Sequence, residues 1–283
     1  MFDMQATVST DQRVTEKAGR KLAVCEITTR DWDLEQEVQA YIGAGIDALG
    51  VYRPKLDRLG VGRAAALLRQ MGLPAVSMIS GKTLTGNARS LSSALVDTHR
   101  RLLDDCSALG ATTLVVVPGC LHGRSPERVG ELAIEALMRL ADEAASHGIC
   151  LALEPIRTPY FDYFNTLVDA TKMARTVQHP NVGIVFDTWH LWDEPGLRES
   201  VENAIDLIRL VHLSDWRIPT RGHDDRMVPG DGAIPLAGIV RQLESLGYSG
   251  TYEIEIYSED EWASDYHELL NRCRVGFDRL WSY

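Results

Sequence analysis

Charged side chains interrupt the apolar runs of this sequence at four places, and the residue types found there are those that hold hard cations. Leu153-Glu154-Pro155 puts a carboxylate at the end of an otherwise apolar run, and Phe186-Asp187 does the same, with Thr188-Trp189-His190 following. Val211-His212-Leu213-Ser214-Asp215 supplies a further imidazole, and Tyr252 to Ile256 carries Glu253 and Glu255 in alternation. In an extended strand, a side-chain period of two sends both glutamates to one face and Tyr252, Ile254 and Ile256 to the other. A buried carboxylate is costly without a partner, so acids at the ends of apolar runs call for a cation. Taken singly, each is explained equally well by an ion pair with a neighbouring Lys or Arg. Together, Glu154, Asp187, His212 and Glu255 form an oxygen-rich set with one nitrogen donor, the composition of a divalent metal site. Such a set is too hard for a closed structural zinc site. It favours one Mn2+ first, then Mg2+ or Co2+, with catalytic Zn2+ also compatible.

These residues need elements that bring them together. Eight short apolar, β-branched runs recur along the chain: LAVCEIT from Leu22, ALGVYR from Ala48, AVSMIS from Ala75, TLVVVPG from Thr113, ICLALEP from Ile149, VGIVFD from Val182, LVHLSDW from Leu210 and TYEIEIY from Thr251. Amphipathic stretches such as ALVDTHRRLLDDCSALG separate them, several ending in Gly as helix C-termini do. Eight strand-helix units in 283 residues predict an α/β fold, a single (β/α)8 barrel over residues 21–283, preceded by a flexible arm over residues 1–20. No GxGxxG follows the first strand, which argues against an open dinucleotide-binding sheet. In a barrel, the carboxyl ends of the strands and the loops after them build the active site, and the acids named above stand there. Of the two glutamates on the last strand, Glu255 is nearer the mouth and is the expected member.

Composition narrows the partners. A net charge of -11 argues against nucleic acid, whose binding needs clustered Lys and Arg. No apolar run approaches the ~20 residues that span a bilayer, and the N-terminal residues lack a signal-peptide core, so a cytoplasmic location is the default expectation. Cys25, Cys106, Cys120, Cys150 and Cys273 lack CxxC spacing and are expected to be reduced, with no role assigned. His99, His147, His179 and His267 fall on helical or connecting segments and are expected to be structural or solvated. The C-terminal DYHELLNRCRVGFDRLW carries an apolar helical stripe that either closes the barrel or meets a partner, so a homo-oligomer stays open.

Over roughly residues 22 to 281 the chain resembles the xylose isomerase-like barrel superfamily of sugar and sugar-phosphate isomerases and epimerases, which includes ketose 3-epimerases and inosose isomerases. The resemblance is carried by LALEPI, VGIVFDTWHLW, LVHLSDW, DRMVPGDGAIPL and YEIEIYS. It implies that Glu154, Asp187, His212 and Glu255 are the metal ligands, and that His190 and Arg226 hold substrate oxygens. Glu253 is the alternative ligand on the last strand, and His223, Asp224 and Arg157 are adjacent substrate-side candidates. The Pro229-Gly230-Asp231-Gly232 turn within Arg226 to Leu236 is expected to fold the long loop over the barrel mouth, with a plain surface turn as the alternative. Trp189, Trp192 and Trp216 either wall a substrate face or pack the core.

The expected activity is a divalent-metal-dependent isomerase or epimerase acting on a ketose, keto-inositol or related sugar. A metal-stabilised enediolate would form, with Glu154 and Glu255 removing and returning the proton. Return to the opposite face of one carbon gives an epimer, and return to the next carbon interconverts aldose and ketose. A lyase or dehydratase using the same enediolate, with His190 or His223 as the acid, is the main alternative. An abasic-DNA endonuclease or a non-catalytic sugar-binding barrel stands further off.

Overall fold

The computed structural model describes residues 20–159 and 161–282. Eight parallel strands close on themselves in chain order: β1 Leu22–Cys25, β2 Ala48–Tyr52, β3 Ala75–Thr83, β4 Thr113–Val117, β5 Cys150–Leu153, β6 Val182–Asp187, β7 Ile208–Leu213 and β8 Thr251–Ile254. β8 pairs back onto β1 with Glu253 opposite Ala23, so the ring has no free edge. The helices are α1 Leu34–Gly43, α2 Arg53–Leu59, α3 Val61–Met71, α4 Ser93–Leu109, α5 Pro126–Ser146, α6 Leu167–Val177, α7 Thr188–Leu191, α8 Leu197–Ala204, α9 Leu236–Ser245, α10 Glu259–Trp262 and α11 Tyr266–Arg279. This is the (β/α)8 barrel expected from the alternation of runs. Helix starts follow local chemistry: Asp33 and Thr166 form capping boxes, and the Ser92 and Ser125 hydroxyls accept amides of the first turn.

Strand alternation divides the core. One set of strand side chains, including Leu49, Leu114, Leu151, Ile184 and Val211, packs outward against the helices. The other set points inward, where Val115, Ala152, Val185 and Leu210 form a small apolar cluster of their own. One strand step towards the mouth from Ala152, Val185 and Leu210 lie Glu154, Asp187 and His212. The apolar cluster is therefore the floor of the polar site.

Three strands stop earlier than the apolar runs do. β1 yields at Cys25 to a 3-10 turn over Glu26–Thr29, β5 ends before Pro155, which has no amide to donate, and β8 ends at Ile254. Residues 1–19 of the expected arm lie outside the described residues. Arg20 pairs with Glu244 at 2.7 Å and stacks over the Trp281 ring at 4.9 Å. The Pro229 to Gly232 turn does not cover the mouth. It docks on α11, where a Cβ on Gly276 would fall 2.2 Å from the Pro229 carbonyl, and the Asp215 carboxylate accepts the Gly230 and Ile234 amides. The segment 217–226 lies nearer the mouth instead, tied down by Asp225 to Arg217 and Arg221. α11 buries Tyr266, Leu269, Leu270, Cys273 and Phe277, so the C-terminal stripe closes the barrel. Among the described residues, all five cysteines are free and no helix is long and apolar enough to cross a membrane.

Candidate metal centre

Glu154, Asp187, His212 and Glu255 meet at the mouth end of the barrel interior, each offering one ligand atom, and these atoms all lie within 4.8 Å of one another. The strand register accounts for the meeting. Asp187 and His212 are Cα partners across β6 and β7, and the Glu154 and Glu255 amides donate to Val116 and Leu213, continuing the ladder one residue past β5 and β8. His212 Nδ1 is the focus: it lies 2.8 Å from Glu154 Oε1, 3.5 Å from Glu255 Oε2 and 3.9 Å from Asp187 Oδ2. Asp187 divides its work between its two oxygens. Oδ1 caps α7, accepting from Trp189 N at 2.7 Å and His190 N at 3.2 Å, which leaves Oδ2 facing the centre.

The electrostatics are those of a crowded anionic cup. All four side chains are buried, Asp187 and His212 at 0% exposure. Arg226, also buried, is the internal counter-charge: its Nη1 donates to Asp187 Oδ2 at 2.9 Å and to Glu255 Oε2 at 2.7 Å. Burial alone would raise the Asp187 pKa, but Arg226, His190 and His212 together hold it below the ordinary carboxylate range. Glu255 goes the other way: burial pushes its pKa up to about 7 despite Arg226 and His212. Burial opposes charge on His212, yet Glu255 and Glu154 lift its pKa to about 10. Three carboxylates facing one guanidinium leave an excess of negative charge, and their donor atoms gather within 4.8 Å of one another. The residues present therefore fit a divalent ion with mixed oxygen and nitrogen ligands.

The substrate-side candidates divide. His190 Nε2 lies 3.1 Å from Arg226 Nη2 and its Nδ1 lies 3.3 Å from the Arg157 amide; both neighbours are donors, so a neutral ring accepts from one of them. Burial lowers its pKa to about 3, so the ring is neutral. His223 lines the cavity above the centre, with its Nδ1 2.9 Å from Asp224 Oδ1. The Arg157 side chain turns away from the cavity: it donates to the Trp189 carbonyl and Asp193 and stacks 4.2 Å over Trp216. Trp189, fully buried, and Trp216 thus hold Arg157, whose amide in turn orients His190. Glu253 does not join the four ligand atoms and sits deeper, against Ser77.

The cavity over the centre has a volume of about 250 Å3. Ile156, Phe161, Val117 and Tyr257 give it an apolar wall, and Lys82 stands at its rim. Tyr257, Phe161 and Lys82 were not singled out from the sequence. Tyr257 had a readable signal, lying one strand step past Glu255, whereas Phe161 sits in an irregular loop whose path no periodicity reveals.

A family model described as a xylose isomerase-like TIM barrel matches residues 38–274, a span that includes all four converging residues. The chain belongs to that family. Among xylose isomerase-like relatives, inosose isomerase of Bacillus subtilis (strain 168) is 25% identical over 185 residues, covering 64% of this chain and 66% of that protein. The match thus spans just under two thirds of that relative's length. L-ribulose 3-epimerase of Methylomonas sp. (strain DH-1) is 26% identical over 242 residues, 81% of this chain and 82% of that one. The crystal structure of a Sinorhizobium meliloti 1021 protein superposes with a TM-score of 0.85 at 29% identity, covering 92% of this chain and 98% of that one.

Proposed function

We propose that this protein is a divalent-metal-dependent isomerase or epimerase of a ketose, keto-inositol or related small sugar, with Glu154 and Glu255 as its proton-transferring pair. The observation that carries the reading is that these two carboxylates, from β5 and β8 on different sides of the barrel, reach one small cavity beside His212. Glu154, Asp187, His212 and Glu255 would hold the ion, Mn2+ by preference. When bound, it would supply positive charge that acidifies the C–H bond of the hydroxyl-bearing carbon next to a carbonyl.

The chain's own residues do the rest. One glutamate removes the proton from carbon and the other returns one, each working from its own side of the substrate. Arg226, fixed by Asp187 and Glu255, presents its remaining N–H bonds towards substrate oxygens, and neutral His190 adds a polar edge without adding charge. The apolar wall excludes water from the carbon where the proton moves. A 250 Å3 cavity is below the usual size for drug-sized ligands and suits a small polyol. Inosose isomerase and L-ribulose 3-epimerase are both named for rearrangements that keep every atom, which favours the same class here.

The test is incubation of Mn2+-loaded protein with a panel of keto-inositols and ketoses, read by chromatography with mass spectrometry. A new species of unchanged mass is expected. Loss of water would move the chemistry to β-elimination, and no conversion across the panel with metal bound would overturn the catalytic reading.

A further inference from the structure

A fourth buried carboxylate lies below the centre, and the proton-transfer scheme makes no use of it. Glu253 has 0% exposure and is the Cα partner of His212 across β7 and β8. Its Oε2 accepts from Ser77 Oγ at 2.6 Å. Its Oε1 lies 3.8 Å from His212 Nε2, and both atoms are buried without any hydrogen-bond partner. Space is reserved for this carboxylate: a Cβ on Gly50 would fall 1.8 Å from Oε1. Burying an acid beneath three others is unfavourable, and an apolar side chain would fill the same volume at less cost. Its placement points to a task.

We infer that Glu253 is a positioning residue for His212, accepting its Nε2–H so that the ring is held with Nδ1 turned to the metal. The ring geometry agrees: Nδ1 faces Glu154, Glu255 and Asp187, and Nε2 faces Glu253. Closing the gap from 3.8 Å to a hydrogen bond of about 3 Å needs only a small tilt of the ring. A metal-ligating histidine whose other nitrogen is bonded to a carboxylate keeps its tautomer and orientation, and losing such a partner typically weakens metal binding 10–100-fold. This inference rests on the metal reading above.

The experiment is Mn2+ titration of the full chain, following free Mn2+ by electron paramagnetic resonance, for wild type, E253A, E253Q and G50A, with thermal melts to confirm folding. E253A should raise the Kd by about 10–100-fold. E253Q keeps an oxygen acceptor and a partner for Ser77, and should recover most of that loss. G50A pushes on the carboxylate while every ligand and every charge is kept, and should weaken binding as well. Wild-type binding that E253A leaves unchanged would refute the role of Glu253 alone. E253Q as weak as E253A would show that charge, not positioning, is at work. A wild-type protein that takes up no Mn2+ would remove the metal reading and this inference with it.

Discussion

Replacing Arg226 by Met tests how the anionic cup is held together. The guanidinium is buried, and one of its nitrogens bridges Asp187 Oδ2 at 2.9 Å and Glu255 Oε2 at 2.7 Å. Met keeps much of the stem's volume but leaves two buried carboxylates without their cation. Removing one partner of a buried pair costs about 3–5 kcal/mol. At ~2–4 °C per kcal/mol for chains of this class, the melting temperature of the metal-stripped variant should fall by about 6–20 °C. The sign of the pH dependence follows from the carboxylates. Arg226 pulls the Asp187 pKa below its ordinary range, and a depressed carboxylate contributes stability that is present above its unfolded pKa and lost as pH falls through the folded one. Without Arg226 the Asp187 pKa rises, and that of Glu255, already about 7, rises further, so both groups take up protons. The penalty should therefore be largest near pH 8 and shrink towards pH 5. Excess Mn2+ should raise the variant's melting temperature more than the wild type's, because the ion replaces the missing charge; a hundredfold excess over Kd contributes about 2.7 kcal/mol to any binder. Melts of both proteins at pH 5, 7 and 8, with chelator or Mn2+, measure this. An R226M protein as stable as wild type at pH 8, or a penalty independent of pH, would show that Arg226 is not the counter-charge of the cup.

Three further outcomes are expected. D187N keeps an oxygen to cap α7 while D187A does not, so metal-stripped melts should separate the two by about 1 kcal/mol, and both should lose Mn2+ in the titration. His190, whose pKa burial lowers to about 3 from an unfolded value near 6.5, contributes stability that is present above pH 6.5 and lost as pH falls towards 3. H190N should accordingly lose less stability than wild type between pH 6 and 4 in urea titrations. G276A drives a methyl group against the Pro229 carbonyl and should lower stability by about 1–3 kcal/mol while leaving the Mn2+ Kd unchanged, which calorimetry can check.

The barrel was legible because eight β-branched runs alternate with amphipathic stretches, and burial on both faces of a parallel strand leaves a continuous apolar signature. Convergence of Glu154, Asp187, His212 and Glu255 was legible from position alone, since each lies within a residue of a strand's carboxyl end and strand ends share one rim. Choosing Glu255 over Glu253 also followed from strand step. The task of Glu253 did not, because it depends on Ser77 and Gly50, which lie far away in sequence and become neighbours only when the barrel closes. Arg157 was placed on the substrate side as a neighbour of the site residues, whereas packing decides its direction: the flat faces of Trp189 and Trp216 and the Asp193 carboxylate draw it away from the cavity. The Pro229 to Gly232 turn was read correctly as a turn, but its docking surface, Gly276 on α11, carries no local signal.

Deuterium exchange with the two glutamates altered one at a time tests the proton-transfer pair most directly. Mn2+-loaded wild type, E154Q and E255Q would be incubated in D2O with a substrate found in the panel, and both recovered substrate and product analysed by mass spectrometry and proton NMR. Wild type should place deuterium at a single carbon with the skeleton intact. Each variant should lose turnover, and at least one should still exchange the substrate's proton from the side served by the remaining glutamate. Turnover at the wild-type rate in E154Q or E255Q, or product formed without deuterium, would contradict a two-glutamate transfer at this centre.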